Sequence, residues 1–162
     1  MAVKPIPAGF HSVTPYLVVH DAASAIEFYK RAFGAKEVMR MEGPHGKIGH
    51  AELKIGDSIV MLADEMPTMS TRSPRSLGGT TAGVMLYLEN VDATFKQAVA
   101  AGATIEAPLD NMFWGDRYGK VTDPFGHSWS LATHKEDVAP EEMETRAKEA
   151  MAKMGGRTRT AT

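Results

Sequence analysis

Residues 113–134 read FWGDRYGKVTDPFGHSWSLATH, two stretches of alternating polar and apolar side chains on either side of Asp123-Pro124-Phe125-Gly126. Proline presets φ, glycine supplies a permissive backbone and aspartate can hydrogen-bond its own main chain, so these four residues form a turn between adjacent strands. Alternation puts Asp116, Tyr118 and Lys120 on one face of the incoming strand. Ser128 and Ser130 share one face of the outgoing strand, with Trp129 and Leu131 on the other. One sheet face is therefore polar and the opposite face apolar.

Working outward from this hairpin, an earlier part of the chain shows the same pattern. Residues 12–19, SVTPYLVV, read as a strand, with Pro15 marking an edge or a bulge. A helix follows: Asp21 is its N-cap, Ala22, Ile26, Tyr29 and Phe33 fall on one stripe, and Gly34 stops it. Strands are expected at 36–41, 47–55 and 58–63, joined by a loop at 43–46 and a tight turn at Gly56-Asp57. The pattern restarts at residue 83, where GVMLYL takes the place of 14–19. Asn90 takes that of Asp21, Phe95 that of Ile26, and Gly102 again ends the helix. The chain is thus an internal duplication of a β-α-β-β-β unit with a spacing of about 69 residues.

These boundaries give an irregular lead-in at 1–10, a first module at 11–64, a linker or lid loop at 65–81, a second module at 82–134, and a C-terminal helix and unstructured tail at 135–162. Pro67, Pro74, Gly78 and Gly79 break the linker, and Arg72 and Arg75 lie within it. The last helix should begin at Pro140, carry Glu141, Glu142 and Glu144 early and Lys148 and Lys153 late, and stop before Gly155. Its apolar stripe is Met143, Ala147, Met151 and Met154. Each module alone is too small to bury its own sheet. Two would pack side by side or exchange with a second chain, with concave sheet faces meeting around a cleft.

Composition narrows the partner. Net charge is −2, which calls for neither nucleic acid nor an anionic membrane, and no apolar run is long enough to cross a bilayer. A small molecule is the expected ligand. The absence of cysteine removes disulfides and thiolate sites and suits a reducing, cytoplasmic setting. The 11 methionines either line an adaptable surface or simply fill a small core.

The duplication, the helix-end pattern AIEFYKRAFGA and the run WGDRYGKVTDPFGHSWSLATH resemble the vicinal oxygen chelate superfamily, in its glyoxalase/bleomycin-resistance branch with the PhnB-like proteins. The resemblance covers roughly residues 10–135. It implies an α+β fold, paired β-α-β-β-β modules forming a U-shaped mixed sheet around a cleft, and a homodimer. Such proteins include metal-dependent lyases, isomerases and dioxygenases, and also proteins that only sequester a drug.

In that family a divalent ion is held by His, Glu or Gln from the first and last strands of each module. The corresponding positions here are Thr14, Met61, Gly83 and Ser130, none of them a normal ligand for such an ion. Neighbours one residue away supply none either, so no metal site and no cofactor are expected. A two-ligand remnant at His50 and Glu52, on one face of their strand, is left open.

What could do chemistry is then His50 or Glu52 as general base and Tyr118 as hydrogen-bond donor to a developing oxyanion. Lys120 would hold an anion, and Met61, Trp114, Asp116 and Ser130 would line the ligand site. The plainer alternative is ordinary ion pairing, Glu52 with Lys120 or Asp116 with Arg117. His127 should brace backbone, while His11, His20 and His134 should be solvated. Three readings follow: a metal-independent small-molecule binder, a glyoxalase-type lyase or isomerase, and a scaffold whose pocket is vestigial.

Overall fold

The computed structural model describes residues 3–157. The first module runs β1 (Tyr16–Val19), α1 (Ala22–Phe33), β2 (Lys36–Glu42), β3 (Ile48–Ile55) and β4 (Ser58–Asp64). A connector holding the one-turn helix α2 (Pro74–Leu77) leads to the second: β5 (Gly83–Tyr87), α3 (Val91–Ala101), β6 (Thr104–Asn111), β7 (Asp116–Thr122) and β8 (Ser128–His134). Helix α4 (Pro140–Arg157) follows. Each module forms a four-stranded mixed sheet, ordered β1-β4-β3-β2 and β5-β8-β7-β6, so the α+β fold with repeated modules is as expected.

The repeat is visible in the register. Tyr16 lies opposite Met61 in the parallel pair β1–β4, and Met85 opposite Ser130 in the parallel pair β5–β8, each residue 69 positions after its counterpart. The helices start and stop alike. Asp21 accepts the Ser24 N–H and Asn90 the Ala93 N–H, while Gly34 and Gly102 close the C-termini in the left-handed conformation. Behind each cap, the last strand sends a side chain to the first helical N–H. Asp64 takes that of Ala22 at 3.1 Å, and Thr133 takes that of Val91 at 2.9 Å.

Two elements differ from the sequence reading. The first strand begins at Tyr16, not at residue 12, because Pro15 has no N–H to give and Thr14 turns its hydroxyl back to the His11 carbonyl at 3.2 Å. The last helix continues through Gly155 to Arg157, since a helix interior tolerates glycine at a cost of about 1 kcal/mol. Of the tail expected to be unstructured, Gly156 and Arg157 end this helix and 158–162 lie outside the described residues. The connector is also more ordered than a plain loop. Ser73 caps α2, and Glu65 accepts from the Ser73 N–H and the Ser76 hydroxyl, both at 2.9 Å.

Helices α1 and α3 pack against each other behind the two sheets and share one core. Tyr29 and Phe33 of α1 reach across to Trp129 of β8, with ring centroids 5.2 and 4.7 Å apart. The turn at Asp123 fastens this contact. Its buried carboxylate accepts from the Tyr29 hydroxyl at 2.6 Å, Trp129 Nε1 at 2.9 Å, and the N–H groups of Phe125 and His127. Burial, reinforced by the adjacent Asp123 charge, pushes the Tyr29 phenol well above its ordinary value. Gly119 lets β7 come close to α3, because a Cβ there would lie 2.6 Å from the Phe95 ring.

The face of each sheet away from the helices is left open. Strands β1 and β5, the outer strands of their sheets, line a common cavity, and His127 Nε2 donates to the Val18 carbonyl at 3.0 Å to bridge the modules. His127 thus braces backbone, as its position suggested.

Candidate functional site

On the open face of the first sheet, β3 presents His50 and Glu52, with Ala51, Leu53 and Ile55 turned to the core. Glu52 lies opposite Met61 of β4, and Met61 opposite Tyr16 of β1. His50 stands between two partners: Nδ1 is 3.1 Å from the Tyr16 hydroxyl and Nε2 is 3.4 Å from Glu52 Oε1. With the Nε2 proton directed at the carboxylate, Nδ1 is the acceptor for the phenol. This chain can polarise the Tyr16 hydroxyl or take up a proton at His50.

The open face of the second sheet is built around Asp116. Its carboxylate is 3 % exposed and receives Trp114 Nε1 at 3.0 Å, the Tyr87 hydroxyl at 3.1 Å and His134 Nδ1 at 2.8 Å. The hydrogen bond to Asp116, with some desolvation, raises the Tyr87 phenol. His134 Nε2 meets Asp137 Oδ1 at 2.9 Å, so each ring nitrogen faces a carboxylate. Hydrogen bonds to Asp116 and then Asp137 hold the imidazole above its ordinary pKa. Gly115, at φ 97°, makes this possible: its carbonyl accepts from the Lys135 and Glu136 N–H groups, and a Cβ there would collide with the Glu136 carbonyl.

Beside this hub, the Tyr118 hydroxyl and Ser130 Oγ lie 2.9 Å apart, and Trp114 meets Tyr118 edge-on at 5.7 Å. Lys120 sits opposite Ser130, but its ammonium pairs with Glu106 at 2.7 Å. That hydrogen bond raises the lysine, while Lys120 and then Thr122 lower the Glu106 carboxyl.

The sequence-predicted residues therefore fall into two groups. His50, Glu52 and Met61 come together on the first sheet, and Trp114, Asp116, Tyr118, Lys120 and Ser130 on the second. Among the described residues no hydrogen bond or ion pair joins the groups, so the combined His50, Glu52, Tyr118 and Lys120 cluster does not assemble within the chain. Neither simple pairing forms, since Lys120 takes Glu106 and Arg117 takes Asp92. His20 is not simply solvated: its Nε2 receives Arg75, and its Nδ1 is buried without a partner. His134 is half-exposed but engaged on both nitrogens.

Sequence reasoning passed over Tyr16, Tyr87 and His134. Tyr16 shares a face with Thr14 two residues earlier, and Tyr87 with Gly83, so the strand alternation already applied could have found both.

At the four positions where an ion would sit, the Thr14 hydroxyl is turned to a carbonyl, Met61 offers a thioether, Gly83 has no side chain and Ser130 is bonded to Tyr118. This donor set does not suit a hard or borderline divalent ion. Among the described residues no three His, Asp or Glu side chains are grouped to hold a metal, and no helix is long and apolar enough to cross a membrane.

The chain is 47% identical over 147 residues to the uncharacterized protein Rv0887c of Mycobacterium tuberculosis, covering 89% of this chain and 84% of that protein. The structure of TioX from Micromonospora sp. ML1 is similar at 33% identity and a TM-score of 0.61, covering 76% of this chain and 98% of that one. A PhnB protein from Bacillus cereus, described as a putative 3-demethylubiquinone-9 3-methyltransferase, shares the fold at 21% identity and a TM-score of 0.59, over 76% of this chain and 99% of its own. The family model for the Glyoxalase/Bleomycin resistance protein/Dioxygenase superfamily matches residues 9–131, spanning both modules from the lead-in to β8, and the chain belongs to that superfamily.

Proposed function

We propose that this protein binds a small, partly aromatic molecule between open sheet faces, as a homodimer in the cytoplasm and without a metal centre. One observation carries the reading: the large apolar side chains left in solvent gather on those faces. Tyr16, Met39 and Met41 surround His50 and Glu52 on the first sheet, and Met85 and Tyr87 flank the Asp116 hub on the second, all 36–64% exposed. Aromatic edges and flexible thioethers with a few fixed polar groups are the lining of a small-molecule site. A second copy would bring the first sheet of one chain over the second sheet of the other and complete the cleft. The family description includes drug-resistance proteins, in keeping with sequestration.

Calorimetric titration against aromatic acids and antibiotics, with sedimentation to read the oligomer, tests this. Micromolar binding by a dimer is the expected result; no ligand tighter than millimolar counts against it.

A second reading, a glyoxalase-type lyase or isomerase, is favoured by the Tyr16–His50–Glu52 chain. There His50 would take the substrate proton and Tyr118 would donate to the developing oxyanion. Elemental analysis of purified protein separates the two. A stoichiometric divalent ion lost in His50→Ala would favour the enzyme and remove the metal-free reading.

A further inference from the structure

We infer that the seam between the modules holds a second site, selective for a small organic carboxylate with an apolar body. A cavity of about 600 Å³ lies where the outer strands β1 and β5 approach each other, roofed by the connector around α2. Two polar groups in its wall point to the ligand. Ser128 is 8% exposed, yet its hydroxyl is buried with no partner, a state that costs about 1–3 kcal/mol unless something fills it. Arg72 also lines the cavity; its Nη2 donates to the Ser76 carbonyl at 2.9 Å, and among the described residues no carboxylate lies within 4.0 Å of it.

An unpaired guanidinium presents a planar fork that matches a carboxylate, and a free hydroxyl adds a third donor. Beyond these groups the wall is apolar, with Tyr16, Val18, Leu77 and Val84, so the anion should carry a compact hydrocarbon or aromatic body. The roof is anchored, because Glu65 holds both Ser73 and Ser76 and so fixes the segment that presents Arg72. The polar residues of the open faces, His50, Glu52, Tyr118 and Ser130, do not line this cavity, and the site stands whether or not those faces bind anything.

Benzoate is the probe, followed by calorimetry and by amide shifts of the labelled protein. Saturable binding is expected, with shifts confined to 78–84 and 127–128, and with benzamide at least tenfold weaker. Arg72→Gln should weaken benzoate about tenfold and Ser128→Ala about threefold, while Arg75→Gln, whose guanidinium faces His20, stays within twofold. Ser128→Ala removes an unpaired hydroxyl, so its melting temperature should hold or rise. Equal affinity for benzamide, an unchanged Arg72→Gln, or shifts centred on residues 50, 118 and 130 would each overturn the seam site.

Discussion

The two modules solve their backbone problem alike and their surface problem differently. At the helix starts, Asp64 and Thr133 occupy equivalent positions and both accept the first helical N–H, one with a carboxylate and one with a hydroxyl. Asp64 also takes the Ile48 N–H and Lys47 Nζ, whereas Thr133 passes its own proton to the Leu88 carbonyl. Any acceptor of the right reach serves there. On the open faces no such tolerance is visible: His50 and Glu52 of the first sheet stand where the second has Tyr118 and Lys120, so an acidic pair faces outward in one half and a phenol with a cation in the other. Divergence is concentrated on the faces that no helix covers, which is where a duplicated fold can acquire a ligand without losing its core.

The sharpest way to break the comparison is to cut the tie between the halves. Asp123→Ala strands a buried phenol, an indole N–H and two backbone N–H groups, and should cost roughly 3–5 kcal/mol of unfolding free energy in urea. A loss below 1 kcal/mol would mean that the modules are held by packing alone. Next in size is the paired test of the helix staples. Asp64→Ala should cost about 2–3 kcal/mol and Thr133→Ala about 1–2 kcal/mol, because the carboxylate serves three donors and the hydroxyl one. Equal losses by the same denaturation would show that the extra Asp64 contacts add nothing.

That pairing also shows what could be read before any coordinates existed. The turn at Asp123–Gly126, the caps Asp21 and Asn90, and the glycines at 34 and 102 are local signals, governed by residues a few positions apart, and they located both modules. The candidate site rests on contacts between distant residues. His50 finds Tyr16 across 34 positions through the register of β1 on β4 and β4 on β3, and no local pattern states that register. Lys120 chose Glu106 rather than Glu52 because β6 is its neighbour in the same sheet, and the partition into two sheets decides which charges can meet. His134 looked superficial because its second carboxylate, Asp137, lies beyond the strand on a strap that depends on the backbone of Gly115.

The caps allow a finer comparison. Asp21→Ala and Asn90→Ala should each cost about 1 kcal/mol, but only the first is expected to be salt-sensitive. Hydrogen bonds from the Ser24 hydroxyl and N–H lower the Asp21 carboxyl, whereas Asn90 is neutral. Melting temperatures of both variants at low and high salt read this directly, and a parallel salt response would remove the distinction.

The smallest effect concerns the strap that only the second module has. Asp116 and Asp137 face His134 from either side, Tyr87 reaches the same Asp116 carboxylate, and Glu136 beside them is paired with Arg146 of α4. Because both ring nitrogens meet carboxylates, the doubly protonated imidazole fits best, and folding raises its pKa above the ordinary 6.5. The folded chain thus holds this proton more tightly than the unfolded one. The contribution is complete below about pH 6.5 and fades as the pH climbs through the raised folded value. His134→Gln can keep only one of the two donors, so the gap in melting temperature between wild type and variant should be widest near pH 5.5 and close by about pH 9. A gap that widened with pH would mean that the neutral ring is the stabilising form and that Asp137 contributes nothing to holding the strap.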